Sequence, residues 1–583
     1  MNSFIERIMD TIRELQQFGE IITGTSEELK IVNYIIERFR DMGIDASKMP
    51  VKVMSWQPNE ATIIVGEKTI NATLQPYSPS FSVDGRLVYI KNLRHDLEKI
   101  NPYESIALIE LSTVLDDYEL QYHKLIEAGS LAIIFYDPYP ERKRRLVATG
   151  SLNYSFTPGV PLPIPILHVT RNEGLELLRY EGRRIFIKTR SYISDNATGY
   201  NIIATIYGRS DKRIILSAHH DHWLTGVSDN IIGVAMILEL ARYIIADEMR
   251  HTLQVISFTA EESGALGFAP WYWAHGSRVF VREQEELETL NNIVAVINID
   301  AVARGVLNIN ATGIEYQALL KSIAAKLGID YRLGFDHPYY DSFSFSMKGI
   351  PAVTLNTLDS ISDIYHTDRD TIEILELNTI KSTFILALET LKRLLKSNNP
   401  FKEYGYLTYA LKIHNELENT PIQLKIHGYR LLEATRKALA ENMYEKLFNA
   451  YKELNKELIK PLFRGKYDED SGGFETVLLP HLEVLNDMKN IRRAIMLLKE
   501  KRLSEALKIL EQIPPQRIIP GEEKVISESL SRMLYSMLLI NPSISDSIII
   551  LLENELKSLS ASVDIAIDNI VNVLNRVTNM LIA

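Results

Sequence analysis

The spacing of apolar and polar positions changes three times along the chain, and each change predicts a different kind of structure. Residues 1 to about 55 read as two helices: in SEELKIVNYIIERFRDMGI the apolar Ile31, Ile35, Ile36 and Phe39 fall on one helical stripe, and Gly43 is a natural stop. From about 60 to 190 the apolar positions gather into short runs, RLVYIKN, SIALIEL, LAIIFYD and PIPILHV, punctuated by proline and glycine. That texture predicts strands, with one helix, DYELQYHKLIEAG, between them. From about 195, strand-like and helix-like runs alternate: RIILSA, VAMILELARYII, TLQVISF, IVAVINI and AVTLN. Continuously apolar strands, each followed by a helix, imply a mixed α/β sheet covered by helices on both faces. After residue 400 long amphipathic stretches such as LLEATRKALAENMYEKLFNAYKELNKELI predict a C-terminal all-α domain with no repeat of fixed period.

Composition narrows the chemistry. A chain of 583 residues is too long for one core, so about three or four domains are expected. At 46% hydrophobic and 24% charged residues it reads as an ordinary globular protein. The net charge of −11 argues against nucleic acid as a partner, because phosphates favour basic surfaces. No cysteine occurs, which removes disulfides, thiolate metal sites and a cysteine nucleophile and leaves His, Asp and Glu as the metal ligands. The N-terminal MNSFIERIMDTIRELQQF mixes acids with bases at helical spacing and lacks the apolar centre of a signal peptide. No later segment is apolar for long enough to span a bilayer, so a cytoplasmic protein with no membrane partner is expected.

Polar donors collect where the apolar strands end. SAHHDHWLTGVSDN follows RIILSA directly and places His219 and Asp221 two residues apart, on one side of an extended chain. His220 and His222 then face the other way and are weaker candidates. Asp229 stands just before the helix IIGVAMILELARYII, where a helix N-cap is the plain structural alternative. TLQVISF ends in Thr259, Ala260, Glu261 and Glu262; a capping box explains Glu262 but not the second acid beside it. IVAVINID closes on Asp300, an acid that would be costly if buried unpaired, and His366 lies in a loop after AVTLN. Independent caps and solvated histidines could fall at any strand end. These residues all fall at the carboxyl edge, where an α/β sheet binds ligands. His219, Asp229, Glu262, Asp300 and His366 together offer two imidazoles and three carboxylates. One carboxylate bridging two divalent ions would give each ion one His and one further acid, with positions left open for substrate.

His219-x-Asp221, Asp229-Asn230 with Gly233, Glu261-Glu262 with Gly264, Asn298-x-Asp300 and Tyr365-His366 resemble, in order and spacing, the motifs of the M28 family of co-catalytic zinc exopeptidases. HHDHW, ILELAR and AEESGALG are similar to its glutamate carboxypeptidase and transferrin receptor branch. KLIEAGSLAIIFYDP and PIPILHVTRNEGLELL resemble the protease-associated domain that this branch inserts. The resemblance covers residues 15 to about 395 and implies a zinc-exopeptidase-like fold: a discontinuous peptidase domain over 1–60 and 191–400, an inserted protease-associated domain over 61–190 and a helical domain over 401–583. It implies two zinc ions, one held by His219 and Asp300, the other by Glu262 and His366, with Asp229 bridging. Glu261 becomes the general base and Asp221 the partner that orients His219. Where many members carry Ser-Asp-His before the Gly-Ile-Pro strand, this chain reads YYDSFSFSMKGIP, with Asp341 in the Asp position and no His.

The expected function is hydrolysis of terminal peptide bonds in short peptides, with an aminopeptidase preferred. A glutamate carboxypeptidase-like enzyme is the near alternative and would need a cationic clamp for a carboxylate, for which Arg304 is a candidate. A non-catalytic receptor or scaffold, as the transferrin receptor illustrates, would have eroded ligands, whereas all are intact here. Glutaminyl cyclase, which uses the same fold, fits less well with the inserted β-rich module. Tyr339, Tyr340 and Tyr365 are candidate oxyanion donors. Cobalt or manganese would suit His and carboxylate ligands as well as zinc. The tail's apolar stripes either pack on the peptidase domain or form a homodimer interface.

Overall fold

A computed structural model describes residues 3–97, 102–113, 117–148, 161–266, 273–401, 405–465, 472–514, 516–519, 525–528 and 530–583. The chain divides into two compact units. The first comprises 1–311, 320–345 and 352–398; the second comprises 312–319, 346–351 and 399–583. No helix among the described residues is long and apolar enough to cross a membrane.

The first unit is built on one sheet of fourteen strands among the described residues. From one edge the strands run Tyr331–Gly334, Leu307–Thr312, Ala352–Asn356, Ile293–Ile299, Ser210–His219, His251–Phe258 and Arg184–Ile206. They continue with Phe81–Ile90, Ser105–Glu110, Ala132–Tyr136, Ile166–Val169 and Thr73–Leu74, while Asp45–Val65 pairs with Arg184–Ile206 and carries Lys68–Asn71. The sheet is mixed. Ala352–Asn356, Ile293–Ile299, Ser210–His219 and His251–Phe258 are mutually parallel, and Arg184–Ile206 joins them antiparallel. Every residue of Ile293–Ile299 is buried, as are Ile214, Ile215, Leu216 and Ala218, the mark of strands covered on both faces.

The helix Ser26–Asp41 forms where the apolar stripe predicts. The Thr25 side chain accepts from the backbone N–H of Glu28, and Ile31, Val32, Ile35, Ile36 and Phe39 are buried. Gly43, at φ +75°, takes the left-handed conformation that ends it. Asp45–Val65 and Arg184–Ile206 stay paired from Asp45 opposite Thr205 to Ile64 opposite Phe186, across the expected boundaries near 60 and 190. The β-rich segment thus extends the same sheet.

The second unit carries the expected helices, including Gly405–Glu416, Ile422–Ala440, Tyr444–Leu458, Glu483–Lys499 and Ser545–Ile582. It is not all-α, and that expectation is corrected. Ile459–Gly465, Gly472–Leu478, Gln516–Ile518 and Val525–Glu528 form an antiparallel sheet in which Phe463 sits opposite Phe474, their rings 5.2 Å apart. Cross-strand aromatic pairing of this kind stabilises strands too short to stand out beside long helical stripes.

Candidate metal centre

Neighbouring parallel strands deliver the first donors. Phe258 pairs with His219 and Asn298 with Ser217, so three carboxyl ends lie level. His219 is the last residue of its strand, Asp300 the first beyond Ile293–Ile299, and Glu261 and Glu262 occupy the turn after Phe258. Asp229 precedes the helix Ile232–Ile244, and His366 lies in the loop that follows Ala352–Asn356.

These residues converge. Asp229 Oδ1 is 3.1 Å from His219 Nε2 and its Oδ2 is 3.3 Å from His366 Nε2. His219 Nε2 is also 3.2 Å from Asp300 Oδ1, and His366 Nε2 is 3.0 Å from Glu262 Oε2. Each histidine therefore faces one acid of its own and shares Asp229 with the other. Glu261 Oε2 stands farther back, 3.9 Å from His219 Nε2. All six side chains are buried.

The capping alternatives are not realised. The backbone N–H of Gly233 donates to Asn230 Oδ1, so Asn230 rather than Asp229 serves that helix start. No helix begins at Glu262, and the Thr259 hydroxyl donates to Glu28. His220 and His222 are turned away, His220 Nδ1 to Ser257 Oγ at 2.9 Å and His222 Nε2 to the Gly19 carbonyl at 3.1 Å.

Asp221 differs from the expectation in detail. Its backbone carbonyl, at 2.9 Å, is the group that holds His219 Nδ1, while its carboxylate lies 3.7 Å from that nitrogen. The carboxylate instead accepts from the backbone N–H groups of Glu261 and Glu262, at 3.2 and 3.1 Å, and from the Thr23 hydroxyl at 3.1 Å. It thus shapes the turn that carries both glutamates. Asn298 donates to Asp300 Oδ2 at 3.5 Å and accepts from Ser217. Asp370, four residues past His366, accepts from the backbone N–H groups of Ser228 at 2.9 Å and Asp229 at 3.4 Å. Its one signal is a third acid in DIYHTDRDT, indistinguishable there from a solvated loop residue.

The electrostatics of the cluster suit cations. Burial raises Glu262 to about 7 although His366 pulls it down, and burial raises Glu261 well above its ordinary value against the pull of His219. Burial also raises Asp300. Burial would lower both imidazoles, yet Asp300 and Glu261 hold His219 well above 6.5, and Glu262 and Asp229 bring His366 to about 9. Asp229 is lowered: burial opposes this, but hydrogen bonds from His219 and His366 outweigh it. Glu262 Oε1 is buried with no hydrogen-bond partner among the described residues. Acids so crowded are neutralised most directly by dications. Ligands about 2.0–2.1 Å from a tetrahedral ion stand about 3.3 Å apart, which matches the 3.0–3.3 Å separations between each histidine nitrogen and its acids. The N and O donors fit zinc, and cobalt or manganese equally.

A cavity opens onto the cluster, walled by Tyr118, Leu146, Trp273, Tyr339, Tyr340 and Tyr365, with Glu119 among them. The Tyr365 ring stacks on His366 at 3.7 Å. Arg304 does not line the cavity; its Nε donates to the Ser360 carbonyl at 3.1 Å and its guanidinium pairs with Asp363. Asp341 is buried at the start of the helix Asp341–Ser346 and does not line the cavity either.

Residues 201–391 match the model of peptidase family M28. The chain is 24% identical to a probable leucine aminopeptidase of Aspergillus oryzae over 51% of its own length and 59% of that protein's. It is 29% identical to a probable glutamate carboxypeptidase of Arabidopsis thaliana over 20% of its length and 17% of that protein's. The chain thus spans less than two thirds of these curated relatives. In fold it is similar to a zinc aminopeptidase from Bacillus subtilis, with a TM-score of 0.54 at 20% identity, covering 67% of this chain and 95% of that one.

Proposed function

We propose that this chain, which carries a peptidase family M28 domain over residues 201–391, is a metal-dependent aminopeptidase acting on short peptides. The observation that carries the reading is Asp229, whose two carboxylate oxygens face two different histidines, each paired with one further acid. In this reading His219 and Asp300 hold one divalent ion, Glu262 and His366 hold a second, Asp229 bridges, and zinc is the expected metal. When bound, the ions supply Lewis acidity to the scissile carbonyl and to the attacking water.

The chain's own groups divide the remaining work. Glu261 lines the cavity without taking part in the four short pairings. Standing beside the cluster but outside those pairings, its carboxylate is the group placed to accept the water's proton and release it to the leaving amine. Tyr339, Tyr340 and Tyr365 line the same cavity and are the candidates to donate to the carbonyl oxygen.

The choice of terminus follows from charge. The cavity walls carry Glu119 besides the cluster acids, and among the described residues no Arg or Lys lines them. A substrate ammonium is attracted to such a wall, whereas a carboxylate lacks the guanidinium it needs. Metal-reconstituted protein is expected to bind two ions per chain and to hydrolyse peptides with a free N-terminus but not the same peptides N-acetylated. Cleavage of the blocked peptides from their C-termini would turn the assignment to a carboxypeptidase, and a chain that binds no metal would leave a scaffold.

A further inference from the structure

The inserted β-rich segment reaches back to the loop that carries His366. Residues 141–145, a run of Glu, Arg, Lys, Arg and Arg, lie against residues 362–369. The backbone N–H of Arg145 donates to the His366 carbonyl at 3.0 Å, and that of Asp368 to the Lys143 carbonyl at 3.1 Å. Arg144 and Thr367 form an antiparallel bridge. Arg369 returns a hydrogen bond to the Glu141 carbonyl at 2.8 Å.

Arg144 is the centre of this seam. Its guanidinium is 1% exposed, yet it donates to three carbonyls of one short loop: Ser362 at 3.3 Å, Asp363 at 2.9 Å, and Tyr365. Its Nε donates to Asp137 Oδ2 at 3.1 Å, and Asp137 is fully buried. His168, which accepts from the Arg144 backbone N–H at 3.3 Å, backs Asp137 from the other side at 3.4 Å. A buried guanidinium is costly unless its donors are satisfied, and a planar fork can gather several carbonyls at fixed angles. The loop it gathers requires such support. His366 has φ +57°, a left-handed conformation that a non-glycine residue holds only when its surroundings determine it.

We infer that Arg144, anchored by Asp137, is a positioning residue for His366: the inserted segment completes the metal centre by fixing the one histidine that no strand holds. The inference rests on the metal reading given above. It concerns only the Glu262–His366 half of the cluster: among the described residues, no hydrogen bond or ion pair joins residues 141–145 to His219 or Asp300.

The test is a zinc titration of metal-free full-length protein, followed by calorimetry and by metal content after dialysis. Wild type is expected to bind two ions. R144M, which keeps the stem and removes every donor, is expected to bind the first ion unchanged and the second about 10–100-fold more weakly. R144K, which keeps the charge beside Asp137 but not the fork, is expected to fall between them. Two ions bound by R144M with wild-type affinities, or both weakened alike, would overturn the inference. A wild-type chain that binds no metal would instead sink the metal reading itself. An independent measurement uses wild-type protein alone: in the metal-free form, the Arg145 and Asp368 amides are expected to exchange with deuterium far more slowly than amides of exposed loops. Exchange at the exposed-loop rate would refute the seam.

Discussion

The two histidines of the cluster reach it by different routes. His219 ends a central parallel strand, level with Phe258 and two residues beyond the pairing of Ser217 with Asn298, and the sheet ladder sets its height. Its partner Asp300 accepts from Asn298, two residues earlier on the strand that pairs beside it. Glu262 and His366 stand on turns. Glu262 is placed by the Asp221 carboxylate through its own backbone N–H, and His366 by contacts from residues far away in sequence. Backbone pairing positions a side chain as a by-product of folding, whereas a loop residue must be held by groups dedicated to that purpose. The comparison predicts one half of the centre that is as stable as the sheet and one that depends on removable supports.

The largest expected effect belongs to neither half. Glu261→Gln keeps the size and the turn but removes proton transfer, and kcat is expected to fall about 10²–10⁴-fold while two ions remain bound. Retained activity would assign the proton to another group. Next in size is Asp370→Asn. Because Asp370 holds the backbone at Ser228 and Asp229, and Asp229 faces both histidines, both ions should weaken together, each by about 10-fold or more. Loss at one site alone, read by calorimetric titration, would mean that Asp229 does not serve both halves. The smallest effect is one of order: under graded chelation, zinc content should pass through a plateau near one ion per chain, with the His366 side emptied first. A single step from two ions to none would erase the distinction between the halves.

The strand-held half was the more legible in the sequence, for a physical reason. His219 ends one apolar run and Asp300 directly follows another, and the end of each run predicts a sheet edge, so position along the chain translates into position in space. Asp229 and His366 sit on loops and were legible only through their company and the family motif. The supports were hidden. Asp370 reads as loop polarity, and nothing in the run Glu141 to Arg145 marks Arg144 and Arg145 as buried, which they are. Burial of a charge is decided by what a distant segment brings to it, and residues 362–369 lie more than 200 positions away. The four-stranded sheet of the second unit was missed because its strands are short and its helical neighbours dominate every window of the tail.

Asp45–Val65 and Arg184–Ile206 act as a girder common to the β-rich segment and the strands that carry the cluster. Trimming the β-rich segment at its apparent borders would cut that beam twice, so the strands that carry the cluster are not expected to survive as a module to be transplanted on their own.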